Sequence, residues 1–286
     1  MKSFSKGFAL ILCFAAGAAF AAGKNAVSYS NAGYEYLAKG EPVKAQIQFR
    51  SALRQNPSYK EAMLGMAKAD LALDAWRDAF DYFAKVLKVD ADNIDAMTGM
   101  GFAYIGLANY DRALEQFSDV IKKSENAIEA HYGTAYLYYI MNKNLWATRK
   151  IATVLRMNPY HYETLLLAAD IKREEGRFDE AEDFIQTALD DKKDNPEGYI
   201  RYAALLNERY LTKGDSDDLN AAIEQIRRAL AIQPDNFKAL NYLGYLHINE
   251  NNYDAALDAF EKARAVNPDS AVLSYDIGLA YERKGE

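Results

Sequence analysis

The stretch FKALNYLGYLHINENNYDAALDAFEKARAVNPDS, residues 237–270, decides the fold of this chain. Leu240, Leu243, Gly244 and His247 stand at i, i+3, i+4 and i+7 within it, so they share one face of a helix. A second helix opens near Asp254, whose carboxylate suits the positive end of the helix dipole, and carries Ala256, Phe260 and Ala263 on one stripe until Pro268 stops it. Gly244, Ala256 and Ala263 let the two helices approach closely, while Leu243 and Phe260 fill the remaining volume. Neither helix buries its apolar stripe alone. The hairpin must therefore stack on copies of itself.

The copies are present. Gly33, Ala67, Gly101, Ala135 and Ala169 recur every 34 residues as the small residue of the first helix. In step with them run Ala45, Ala79, Ala113, Ala147 and Ala181, then Phe49, Phe83, Phe117, Ile151 and Ile185. The stop position is looser: Pro57 and Pro159 hold it, whereas Ala91, Glu125 and Lys193 do not, so turn geometry there must come from neighbours such as Asn93 and Asn195. A 34-residue helical hairpin with these residues in this order resembles the tetratricopeptide repeat family over residues 26–286. The resemblance implies an all-α fold, a right-handed α-solenoid of antiparallel helix hairpins, and a protein-binding role. The expected repeats are 26–59, 60–93, 94–127, 128–161, 162–195, 196–236, 237–270 and a half repeat 271–286. The sixth holds seven extra residues, expected to lengthen its first helix through Glu208–Leu211 and to project a loop from Lys213 to Asp218. Ile277 and Tyr281 begin a hairpin whose second helix is missing, so the natural chain is expected to continue past Glu286.

Residues 1–21 stand outside the array. Lys2 and Lys6 precede an apolar run ending in Ala19-Phe20-Ala21, the pattern of a secretory signal peptide cleaved after Ala21. Retention as an anchor is the alternative, as is lipidation at Cys13, although Leu12 is not the small residue a lipid-attachment site needs before its cysteine. Cys13 is the only cysteine, so the mature chain carries no thiol, which suits a bacterial periplasm. His131, His161 and His247 lie in different repeats without a second ligand nearby, which makes them packing residues and not metal ligands. Half the residues are apolar and about a quarter (26%) charged, as in a folded soluble protein. The formal net charge of −7 becomes −9 if Lys2 and Lys6 leave with the signal. An acidic chain with no evident basic stripe argues against nucleic acid and anionic membrane surfaces as partners.

No phosphate-binding glycine loop, nucleophile elbow, H-E-x-x-H, C-x-x-C or dinucleotide fingerprint occurs, so neither an enzyme nor a cofactor is expected. The family's carboxylate clamp of Lys, Asn and Arg is also missing: the positions it needs hold Ser30, Tyr34, Gly65, Asp95 and Gly99. The reading that remains is a non-enzymatic scaffold of the bacterial envelope, serving the assembly of a secretion, pilus, outer-membrane or polysaccharide-export machine, with a periplasmic holdase as the alternative. Its partner is expected in the concave groove, against residues of the first helices that stand beside the packing stripe. Those are Tyr34 and Leu37, Phe102 and Ile105, Tyr132, Tyr136 and Tyr139, and Asn241, Tyr245 and Ile248. Glu61, Asp95, Glu129, Glu163 and Glu197 would line one edge in acid. That composition favours an apolar peptide or helix with basic residues. Trp76, Tyr110, Phe178 and Tyr253, at the starts of second helices, read as core.

Overall fold

A computed structural model describes residues 25–285. The segment expected from its sequence to be a signal peptide, with Cys13, lies outside the described residues. Contacts divide the chain between Lys143 and Asn144 into two compact units, a division that falls inside the fourth expected repeat. The first unit holds α1 (25–38), α2 (Pro42–Gln55), α3 (Lys60–Ala72), α4 (Trp76–Val89), α5 (Ile94–Gly106), α6 (Tyr110–Lys123) and α7 (Ile128–Ile140). The second holds α8 (Asn144–Met157), α9 (Tyr162–Glu174), α10 (Phe178–Asp191), α11 (Pro196–Lys213), α12 (Ser216–Ile232), α13 (Phe237–Asn249), α14 (Tyr253–Val266) and α15 (Ala271–Lys284). There is no strand among the described residues.

Outside the sixth repeat, each tight turn between the helices of a hairpin is built the same way. One residue takes a left-handed conformation: Gly40, Asp74, Ala108, Asn142, Gly176 and Asn251, with φ between 55° and 71°. The next N–H then reaches back to a carbonyl near the helix end, as in Ala75 N to Asp70 O (2.9 Å) and Asn109 N to Tyr104 O (2.8 Å). This satisfies carbonyls the helix leaves without partners. At the other joints Asn93 and Asn195 cap the following helix, accepting from Ala96 N at 2.9 Å and Glu197 N at 3.0 Å. Two of the three absent prolines are thus replaced by side-chain caps, as the sequence implied, whereas the joint at Glu125 leads into α7 through Ala127 without one.

The core rows are buried as expected: Phe49, Phe83, Phe117 and Phe260 are fully enclosed, as are Ala45, Ala79, Ala113 and Ala256. A second small-residue row lies opposite the phenylalanines. The Phe49 ring is wedged between Gly33 of its own hairpin and Gly65 of the next, and Phe117 between Gly101 and Gly133; a Cβ at any of these glycines would stand closer than 3.0 Å to the ring. Phe83 meets Gly99 in the same way. The Phe row thus holds successive hairpins together as well as each hairpin closed.

The sixth repeat departs from expectation. The expected projecting loop from Lys213 to Asp218 does not form. α11 has 18 residues against 13 in α9, and α12 has 17 against 14 in α10, so both helices lengthen and only Gly214 and Asp215 remain between them. Gly214 (φ 77°) turns the chain and Asp215 caps α12. Arg209 holds the extension shut, donating from Nε and Nη2 to Asp218 (2.9 and 2.6 Å) and from Nη1 to Glu182 (2.9 Å). A salt-bridged, helical extension costs less than a loop of exposed backbone.

Candidate protein-interaction surfaces

In the first unit the first helices of successive hairpins lie side by side, α3 against α5 and α5 against α7. Their shared face is aromatic. Phe102 on α5 stands 6.0 Å from Tyr132 on α7, and Tyr132 stacks at 6.3 Å with Tyr136 one turn on (ring centroids). All three are half-buried, as is Tyr139. Phe102 also meets the core ring Phe117 edge-on at 5.2 Å, and Tyr34 meets Phe49 likewise at 5.1 Å. Tyr34 donates its hydroxyl hydrogen bond to the Glu61 carbonyl at 2.9 Å. Burial, aided by the Glu61 and Asp95 carboxylates, pushes that hydroxyl up to about 12. The expectation of a stripe free of the core is therefore corrected: Leu37, Phe102 and Ile105 pack against buried clusters. It is a core margin with one edge open to solvent.

The second unit differs. Tyr245 stacks with Tyr242 at 5.9 Å, but Ile248, expected to be free, is buried in the cluster around Phe260. Elsewhere the equivalent face is polar and ionic. Asp170 on α9 is buried and pairs with Arg201 of α11, with Arg173 at 3.8 Å; Arg173 also pairs with Glu208, and Arg201 with Glu197 at 2.8 Å. Burial holds the Asp170 carboxyl above its ordinary range even with two guanidinium groups beside it. Asn249 donates to Asn207 at 2.8 Å, and Asn241 to Asp276 at 3.1 Å. The expectation of an aromatic groove throughout is thus corrected: the aromatic face is confined to the first unit and around Tyr245. Asp170 and Arg173 stand 34 residues after Tyr136 and Tyr139, and Glu197 precedes Arg201 by four, a favourable helical pairing. Those spacings were the available signal.

The acidic edge is largely compensated. All five acids sit in the first turn of their helices, where the dipole favours them. Asp95 pairs with Lys68 at 3.0 Å, Glu163 with Lys192 at 3.6 Å, and Glu197 with Arg201 and Lys238. The histidines serve packing: His131 contacts the Glu125 carbonyl at 3.0 Å, His161 caps α9 through Thr164 N, and His247 contacts Glu250 at 2.8 Å. No group of three His, Cys, Asp or Glu among the described residues is placed to hold a metal. Phe178 is buried, while Trp76 is half-buried and lies over Gly106 of the next hairpin's first helix. A basic stripe, absent from the sequence reading, does exist on α8.

Residues 237–270 match the tetratricopeptide repeat family, and residues 71–137 match it through a second repeat model. No curated protein matches the chain. Among solved structures, a tetratricopeptide repeat protein from Parabacteroides merdae is similar, with 18% identity over 90% of this chain and 99% of its own and a TM-score of 0.59. Yeast Tom70 is similar at 21% identity and TM-score 0.68 over 92% of this chain, and the Cut9–Hcn1 hetero-tetramer of the APC/C at 13% and 0.62 over 88%. This chain spans 54% and 48% of those two chains. The class that fold and repeats define is an all-α tetratricopeptide-repeat array, a scaffold for protein–protein interaction. The family models that match are repeat models, not those of an enzyme.

Proposed function

We propose that this chain is a non-enzymatic scaffold of the bacterial cell envelope that captures an apolar peptide or partner helix with basic residues. Capture takes place on the Phe102–Tyr132–Tyr136 face of α5 and α7. One observation carries the reading: three rings from two neighbouring helices form a continuous half-buried surface with centroid spacings of 6.0 and 6.3 Å. Tyrosine supplies large rigid contact area while its hydroxyl stays wet, which is why it concentrates at interfaces. The first turns of α5 and α7 carry Asp95 and Glu129, an acidic margin that favours a partner with a cation beside its apolar side chains. Lys2, Lys6 and the apolar run before Ala21 support export, with the mature chain beginning near Ala22 in the periplasm.

Tyr132→Ala with Tyr136→Ala should abolish cross-linked capture of partner from an envelope extract, measured per folded molecule, while the circular-dichroism melt falls only modestly, as half-buried rings at a core margin require. A large loss of stability with binding retained per folded molecule would make the tyrosines packing residues instead. Intact mass of exported material should show a chain starting near Ala22; an intact Met1, or a diacylglycerol on Cys13, would refute the export reading.

A further inference from the structure

Between Glu129 and Glu163 the chain has no Asp or Glu, yet it holds Lys143, Arg149, Lys150 and Arg156, in a protein of net charge −7. Most of that charge lies on α8. Ala147, Ile151 and Val154 face its core. The opposite stripe carries Leu145, Arg149, Ala152 and Arg156 at i, i+4, i+7 and i+11, all exposed, with Trp146 beside them. Leu145 is 65% and Trp146 51% exposed, and the Arg149 guanidinium lies over the Trp146 ring at 5.0 Å. Arg149, Lys150 and Arg156 pair with no carboxylate among the described residues.

The second helix of the next hairpin, α10, is the reverse. It carries Asp179, Glu180, Glu182, Asp183, Asp190 and Asp191 and no Lys or Arg. Asp183 and Asp190 occupy the repeat positions of Arg149 and Arg156, 34 residues on.

We infer that the outer face of α8 is a second docking surface, for an acidic segment of a partner protein that lays carboxylates on Arg149 and Arg156 and an apolar side chain on Leu145 and Trp146. The two arginines stand seven residues, hence about 10.5 Å, apart along the helix, a span that a helical partner matches with acids at i and i+7. A planar anionic bilayer suits this surface less well, because it would have to avoid the acids that α10, the matching helix of the next hairpin, carries at the positions of Leu145, Arg149 and Arg156. A narrow segment lying along α8 avoids them. The acidic α10 also discourages the segment from shifting across, so like-charge repulsion fixes where it docks. Arg and Trp held together by a cation–π contact form a preorganised anchor of the kind that dominates interfaces. This surface is separate from the tyrosine face and takes a partner of opposite charge.

The test reads Trp146 alone, in a Trp76→Phe chain checked for its helical content. The probe is a synthetic helical peptide with two Glu seven residues apart and a Leu beside the first. Titration should shift Trp146 emission to the blue, and the shift should weaken when salt rises from roughly 0.05 to 0.5 M. Arg149→Glu with Arg156→Glu should weaken binding at least about tenfold, and the same peptide with Lys for Glu should then bind the reversed chain. Tyr132→Ala with Tyr136→Ala should leave all of this intact. Emission that moves with phosphatidylglycerol vesicles but not with the peptide would overturn the inference in favour of a membrane surface. Emission that moves with neither, or a reversed chain that binds the acidic peptide as well as before, would overturn it outright.

Discussion

Phe117 and Gly133 should behave as one unit. The ring is fully buried between Gly101 and Gly133, in edge-on contact with Phe102. In the hairpins where Phe becomes Ile151, Ile185 or Ile226, the position of Gly133 becomes Leu167, Arg201 or Tyr242. The chain thus uses two solutions to one space-filling problem: a large ring against bare backbone, or a smaller side chain against a larger one. Phe117→Ile removes part of the ring and its edge-on pairing, at a cost of about 2–3 kcal/mol. Gly133→Leu alone drives a side chain into the ring and costs at least about 1–3 kcal/mol by overpacking. Together they should rebuild the packing of the later hairpins, leaving the double variant about 2 kcal/mol more stable than the sum of its parts. Urea melts followed by circular dichroism would measure the four corners of the cycle, with a common slope as the check that unfolding keeps its character. Lys122→Ala, in an exposed pair with Asp119, is the control and should cost under about 0.5 kcal/mol. Additivity to within about 0.5 kcal/mol would mean that the ring does not occupy the slot between the glycines.

Asp70 is buried on α3, accepts one hydrogen bond from Gln46 and leaves its other oxygen without a partner; burial raises its carboxyl above the ordinary range. A raised carboxyl in the fold contributes stability that is present at low pH and lost as pH rises through the folded value. Asp70→Asn should therefore be more stable than the natural chain at pH 7, with the gap closing towards pH 4; urea melts showing a variant weaker at pH 7, with an unchanged gap at pH 4, would contradict this. Ala108 holds a left-handed turn (φ 55°) that disfavours a Cβ, whereas Gly176 (φ 71°) suits its turn. Ala108→Gly should stabilise and Gly176→Ala destabilise, each by up to about 1 kcal/mol, and thermal shifts of the same sign would refute the turn argument.

The repeat, its register and its buried rows were legible in the sequence because the stripe of an amphipathic helix is local: Ala113, Phe117 and Val120 mark a face whatever they pack against. The caps at Asn93 and Asn195 were legible for the same reason. What lay beyond reach was every property that depends on residues one repeat away. Gly65 gives no sign in its own helix that it borders Phe49 of the preceding hairpin. The seven extra residues of the sixth repeat read as a longer first helix with a projecting loop, and the lengthened second helix came to light only where Arg209 meets Asp218 and Glu182.

The candidate surfaces divide along the same line. Tyr132 and Tyr136 could be picked from their spacing, but their ring contact with Phe102 needed the α5–α7 packing, and so did the finding that this stripe is a margin of the core. The ionic face of the second unit stayed hidden because Asp170 and Arg201 are 31 residues apart and meet only when α9 and α11 lie side by side. The amino-acid order by itself determined the hairpin, its period and its core, since these follow from helical geometry within about a dozen residues. Only the tertiary structure decided which side chains face one another across the repeats, because that pairing depends on how neighbouring helices stack and not on the periodicity of either one.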